Sequence, residues 1–224
     1  MRRSFLPLSV LGLTLLTACQ DRSPESGKPA TDNATTQAAA GHTLHWSEAV
    51  VWDGNLNACR QGNQAATREC LSDAMRADGA SADAVAAAQQ LSSDGDLAYV
   101  SAWHAHGGLG VATVEYPFRA NTNQGTRLLD AQGKRIDVDA LQFDDALRAD
   151  PALKAILEAH PQATPFAPAQ SAGTSPLEGG GIRLLYRTPL RDCHACAEVG
   201  QLQIGYDFDG QRNFIGQHVV AATP

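Results

Sequence analysis

Hydrophobic and polar positions along the chain change period several times, and each change predicts an element. Residues 44–52 (LHWSEAVVW) read as an opening strand or extended segment, and residues 57–78, rich in Ala, Arg, Glu, Leu and Met, read as helical. A second helix is predicted from Ser81 to about Leu91, with Ser81 as N-cap and Asp83 in the first turn. From Leu97 the pattern shortens. Residues 97–106 and 109–118 are apolar, aromatic and β-branched around Gly107-Gly108, which predicts a β-hairpin. Residues 126–129 and 135–138 flank Asp130-Ala131-Gln132-Gly133 as a second hairpin. Residues 139–148 carry helical spacing at Leu141, Ala146 and Leu147, and Asp150-Pro151 opens another helix, with Asp as N-cap and Pro at the first position, running to about His160. Residues 163–181, rich in Pro, Gly and Ser, predict a loop. Strands follow at 182–188, 202–208 and 213–220, the last two joined across Asp209-Gly210. No internal repeat is visible. Together these elements predict an α+β fold, with N-terminal helices, a mostly antiparallel sheet built from hairpins, and helices inserted mid-chain.

The first twenty residues follow a different logic. Arg2 and Arg3 precede an apolar run over residues 5–16, interrupted by Pro7, Ser9 and Thr14. A bilayer span takes about 20 apolar residues, so the run fits the core of a secretory signal instead. It ends in Leu16-Thr17-Ala18-Cys19, which resembles the lipobox of bacterial lipoproteins. Small residues there admit the processing peptidase, and the thiol carries the diacylglycerol. The resemblance implies a signal peptide over 1–18 and lipid, palmitate included, on Cys19. Gln20 stands where an Asp would signal inner-membrane retention, so the expected location is the periplasm, anchored to the inner leaflet of the outer membrane. Each buried acyl CH₂ contributes about 0.8 kcal/mol to that anchoring. Residues 19–41 are small and polar, too poor in large apolar groups to offset the entropy of ordering. They predict a disordered tether with a span of roughly 25 Å, and leave residues 42–224 as a single periplasmic domain.

Charge and cysteine usage narrow the function classes. The chain has 17 Lys and Arg against 24 Asp and Glu; without Arg2 and Arg3 the balance is 15 to 24, net −9. No basic footprint for nucleic acid is present, nor a polybasic lipid-binding patch. With Cys19 given to lipid, Cys59, Cys70, Cys193 and Cys196 form an even set, which in an oxidising compartment predicts two disulfides. Three connectivities are open, Cys59–Cys70 with Cys193–Cys196 being the simplest. On one continuous helix Cys59 and Cys70 would lie about 16 Å apart, beyond the roughly 7 Å a disulfide allows. Either Gly62-Asn63 breaks the helix or these two do not pair.

Candidate chemistry is sparse. Cys193-His194-Ala195-Cys196 lies between two strand candidates, not at the helix N-terminus that lowers a thiol pKa in thioredoxin-like enzymes. It is read first as a structural disulfide loop, with redox chemistry or metal binding as alternatives. His104 and His106, two apart on one strand face, form a weaker metal alternative together with His194, or with His42 and His45. Asp144 and Asp145 are adjacent on a predicted helix and diverge; Asp207 and Asp209 flank a turn. No nucleophile elbow, phosphate loop or zinc-protease motif occurs. No catalytic residue and no cofactor are predicted.

Several stretches resemble proteobacterial lipoproteins and secreted proteins that carry no assigned activity: Asn57-Ala58-Cys59 with Cys70-Leu71, Val114-Glu115-Tyr116-Pro117-Phe118-Arg119-Ala120-Asn121, Ile136-Asp137-Val138-Asp139, the Cys-His-Ala-Cys motif, and Tyr206-Asp207-Phe208-Asp209. The resemblance covers residues 57–220 and implies one domain with two disulfides and a periplasmic home. The expected function is a non-enzymatic interaction domain of the cell envelope, of inhibitor or immunity-factor type. Its expected contacts are the membrane through the lipid and a protein partner in the envelope. An acidic surface suits a basic target such as a lysozyme-like hydrolase. The alternative is a thiol–disulfide or metal-handling protein using residues 193–196. A weaker option is a small-ligand pocket lined by Trp103, Tyr116 and Phe118.

Overall fold

The computed structural model describes residues 44–54, 56, 59, 67–93 and 95–224. The predicted break at Gly62-Asn63, the signal, Cys19 and the tether lie outside them. Residues 44–52 are not a strand. Ser47 Oγ accepts the N–H of Ala49 and turns Glu48–Val50 into a single 3₁₀ turn, after which Val51 forms one parallel bridge to Val100. A short hydroxyl side chain offers the backbone a local partner that competes with strand pairing.

Helix α1 (Arg68–Ala77) is capped by Thr67, whose Oγ1 accepts the N–H of Cys70. It ends at Gly79, in the left-handed region with φ +81°. There Gly79 N donates to Arg76 O and Ala80 N to Met75 O, closing the last turn. Helix α2 (Ala82–Ser92) starts where the sequence predicts, with Ser81 Oγ accepting from Ala84 N at 2.9 Å. Leu71 and Met75 of α1 pack on Ala84, Val85 and Ala88 of α2 together with Trp52 and Cys59.

The first sheet is an antiparallel meander of β1 (Tyr99–His106), β2 (Leu109–Glu115), β3 (Gln124–Leu129) and β4 (Arg135–Asp137). Gly107 and Gly108 both take positive φ, which matches the twist of a two-residue hairpin. Alternation sends Ala112 and Val114 of β2 towards Ala87 and Leu91 of α2, while Leu109, Leu128 and Ile136 face the main core.

Only the last part of the helix predicted over 139–148 forms. Helix α3 (Asp145–Ala149) starts at Asp144, which is its N-cap and accepts from Leu147 N at 2.8 Å. Asp144 and Asp145 are therefore not a pair diverging on a helix. Asp150 caps α4 (Pro151–Ala159), as predicted, accepting from Ala152 N and Leu153 N. No described helix is long and apolar enough to cross a membrane.

The second sheet contains β5 (Thr164–Pro165), β6 (Gln170–Pro176), β7 (Ile182–Arg191), β8 (Glu198–Phe208) and β9 (Phe214–Thr223). β7, β8 and β9 run antiparallel in order, while β5 and β6 both pair with β7. The loop expected over 163–181 is thus corrected to two edge strands. β6 is polar on both faces and kinks at Gly173, φ +103°, where its register shifts; Gly and Pro are tolerated at such an edge. Tyr186, Leu190, Leu202, Ile204, Tyr206 and Phe208 form the inner face, covered by the first sheet and by Leu153 and Ile156 of α4. The result is α+β, with mostly antiparallel sheets.

Asp139 ties these parts together. Its Oδ2 accepts the N–H of Thr126 in β3, and its Oδ1 the N–H of Ala169 just before β6, both at 2.6 Å. Burial raises its pKa above the ordinary value of 3.8, and the two donors only partly offset this. With the folded value above the unfolded one, the native state holds the proton more tightly, so this group's contribution falls as pH rises through the folded value. An Asn side chain has one acceptor oxygen and cannot receive both N–H groups. Asp139→Asn should therefore cost about 1–3 kcal/mol in a urea melt at neutral pH. The deficit should narrow as pH is raised from about 4 to about 7, and a pH-independent difference would contradict the assignment.

Candidate functional site

A polar cleft opens on the edge of the first sheet. It has a volume of about 580 Å³ and is walled by the end of α2, the β2–β3 loop, the start of β4 and Ala167. Tyr116 closes β2 and forms the floor with Arg127 of β3, whose Nη2 donates to the Tyr116 hydroxyl at 2.5 Å and whose Nη1 meets Asp137 Oδ1 at 2.6 Å. The Arg119 guanidinium lies 3.5 Å above the Tyr116 ring and donates through Nε to Asp96 at 2.7 Å. Arg135 lies over the Trp46 ring at 5.7 Å, and Lys134 over Phe214 at 4.7 Å. Burial pushes the Tyr116 hydroxyl pKa up, against the pull of Arg127 and Arg119, so it stays protonated and keeps a hydrogen to donate.

The Cys-x-x-Cys loop sits beside this cleft. Cys193 and Cys196 are bridged, with Cα atoms 5.0 Å apart, and Cys59 and Cys70 likewise at 5.8 Å. The simplest of the three connectivities is the one formed. His194 Nε2 lies 2.8 Å from Asn121 Nδ2, and its ring is 4.9 Å from that of Phe166. Asn121 and Phe166 adjoin Thr122 and Ala167, which line the cleft, so the loop braces two of the cleft's walls. Next to the bridge, the Arg191 guanidinium lies 4.9 Å from the Phe166 ring and Asp192 Oδ2 is 3.1 Å from His160 Nδ1. Arg191 Nε and Asp192 Oδ1 are buried with no hydrogen-bond partner among the described residues.

The metal alternative is not assembled. His104 and His106 are exposed at the end of β1, whereas His194 is held at the Cys loop. Among the described residues, no group of three His, Cys, Asp or Glu side chains is arranged to hold a metal. The three aromatics proposed for one pocket also separate. Tyr116 floors the cleft, Trp103 lines a second hollow of about 600 Å³, and Phe118 packs with Trp52 and Tyr99. Asp207 is held by Arg183 in two bonds of 2.7 and 2.9 Å, and Asp209 accepts from Gln211 N and Asn213 N within its turn. The chain as sequence does not flag Arg119, Arg127, Lys134 or Arg135, because charged residues near strand ends look solvated. The one signal was that Tyr116 and Arg119 fall within a stretch that carried the family resemblance. Comparison with protein-family models, curated proteins and solved structures found no match.

The two bridges differ in what they do for the fold. Closing a loop as long as Cys59–Cys70 contributes about 3 kcal/mol of unfolded-state entropy, and one as short as Cys193–Cys196 about 2. The second loop is already gathered by pairing of β7 and β8 out to Arg191↔Glu198. Cys193 is exposed, while Cys59 is only 5% exposed. Under native conditions a mild thiol reductant should therefore release Cys193 and Cys196 first. Differential alkylation with mass spectrometry reads the order, and earlier labelling of Cys59 and Cys70 would contradict it.

Proposed function

We propose that the protein is an outer-membrane lipoprotein, held by lipid on Cys19, whose domain over 42–224 acts in the periplasm as a non-enzymatic interaction module of inhibitor or immunity type. The observation that supports this reading is the pairing of all four domain cysteines, which leaves Cys19 the odd thiol, at the end of a Leu16-Thr17-Ala18-Cys19 run that resembles a lipobox. Disulfides persist in oxidising compartments. The net negative charge favours a basic protein partner. The edge strand β9 offers contact area where Ile215 and Val220 are 62% and 42% exposed. In fractionated cells of a Gram-negative host, the wild-type chain should follow the outer membrane with both bridges formed, and Cys19→Ser should leave the membrane fraction. Wild-type protein in the soluble cytoplasm with free thiols would overturn the reading.

A second reading, thiol–disulfide exchange at Cys193 and Cys196, is favoured by the exposure of Cys193 and the shortness of its loop. The reduction potential separates the two: a structural bridge falls below about −300 mV and a redox catalyst well above it.

A further inference from the structure

The cleft beside the first sheet has a charge character unlike the rest of this acidic chain. Arg119, Arg127, Lys134 and Arg135 line it together with Asp96, Asp137 and Asp139. Each of the three carboxylates is occupied by the protein itself. Asp96 receives Arg119, Asp137 receives Arg127 and the N–H groups of Asp139 and Ala140, and Asp139 receives Thr126 and Ala169. The cations are less occupied. Among the described residues no carboxylate lies within ion-pair distance of Lys134 or Arg135, and Arg119 reaches Asp96 through Nε only.

We propose that this cleft is a binding site for a small oxyanionic ligand, one bearing phosphate or clustered carboxylate groups, held by Arg119, Lys134 and Arg135 with the Tyr116 hydroxyl as a neutral donor. Guanidinium forks match the oxygens of both groups in a bidentate manner. The Tyr116 ring, part of the cleft lining, holds Arg119 in place before a ligand arrives, while Arg135 and Lys134 lie over Trp46 and Phe214, which are outside that lining. That pre-organisation reduces the side-chain entropy lost on binding. A volume of about 580 Å³ lies within the range of small-molecule sites. The concave shape favours a small ligand over the flat face of an acidic protein. The site goes beyond the envelope reading and does not depend on where the chain is anchored.

Isothermal titration of the full chain in detergent at low ionic strength, with pyrophosphate and citrate as separate probes and sucrose as neutral control, tests the proposal. Saturable binding of pyrophosphate, citrate or both is expected, weakening steeply as salt shortens the screening length. Pyrophosphate alone would assign phosphate as the ligand group, and citrate alone clustered carboxylates. Lys134→Gln with Arg135→Gln should weaken binding by about tenfold or more, and Arg119→Gln alone should also weaken it. A thermal melt checks that each variant is folded; Lys134 is exposed and Arg135 half-buried. Failure of both probes at millimolar concentration would overturn the proposal. So would a folded double variant that binds as the wild type does. Binding of poly-glutamate without either small probe would assign an acidic protein surface instead and overturn it as well.

Discussion

The arrangement of both sheets depends on one half-buried carboxylate. Asp139 follows β4 directly, at the point where the chain leaves the first sheet, and it accepts backbone N–H groups from β3 and from the residue that leads into β6. A charge removed from water is costly unless hydrogen bonds replace its hydration. Here the two replacements come from opposite sides of the junction, so the anion is satisfied only when both sheets are in place. Its field reaches further. Burial and the nearby Asp139 charge push the Tyr186 pKa up to about 12, and raise that of Tyr206 as well. Tyr206 stays a neutral donor to Val138 O, one residue from Asp139. The junction is thus a small polar core inside an apolar one.

Much of the fold is legible in the sequence where a local cause acts alone. Ser81 and Asp150 set their helix starts because a side-chain oxygen within reach of the first turn needs no tertiary help. Gly107-Gly108 sets the β1–β2 turn for a similarly local reason. The errors fall where distant partners decide. Residues 139–144 have helical spacing, but the Asp139 carboxylate is claimed by Thr126 and Ala169, and Asp144 caps a later turn. β6 has no alternating hydrophobic pattern, and becomes a strand only because β7 presents an edge to pair with.

The candidate site divides in the same way. The cysteines and their even count are visible from composition, while the choice among three pairings comes only with the fold. The cleft is not visible there, because its parts come from α2, the β2–β3 loop, β4 and the segment before β6, and no short motif contains them. Asn121 and Phe166 join the Cys193–Cys196 loop to two of its walls. The bridge and the cleft are therefore neighbours through contacts that only the folded chain creates.

The edge strand β9 carries its own safeguard. Its register with β8 shifts at two places, leaving Val220 and Ile215 as the extra residues on the β9 side. These are the same two residues whose large apolar side chains stand most exposed. A bulge interrupts the regular row of backbone donors and acceptors that an incoming strand would need. The exposed edge is thus sticky at two points but not continuous. Copies crowded together can touch there through side chains, yet they have no unbroken ladder along which to zip into a growing fibre.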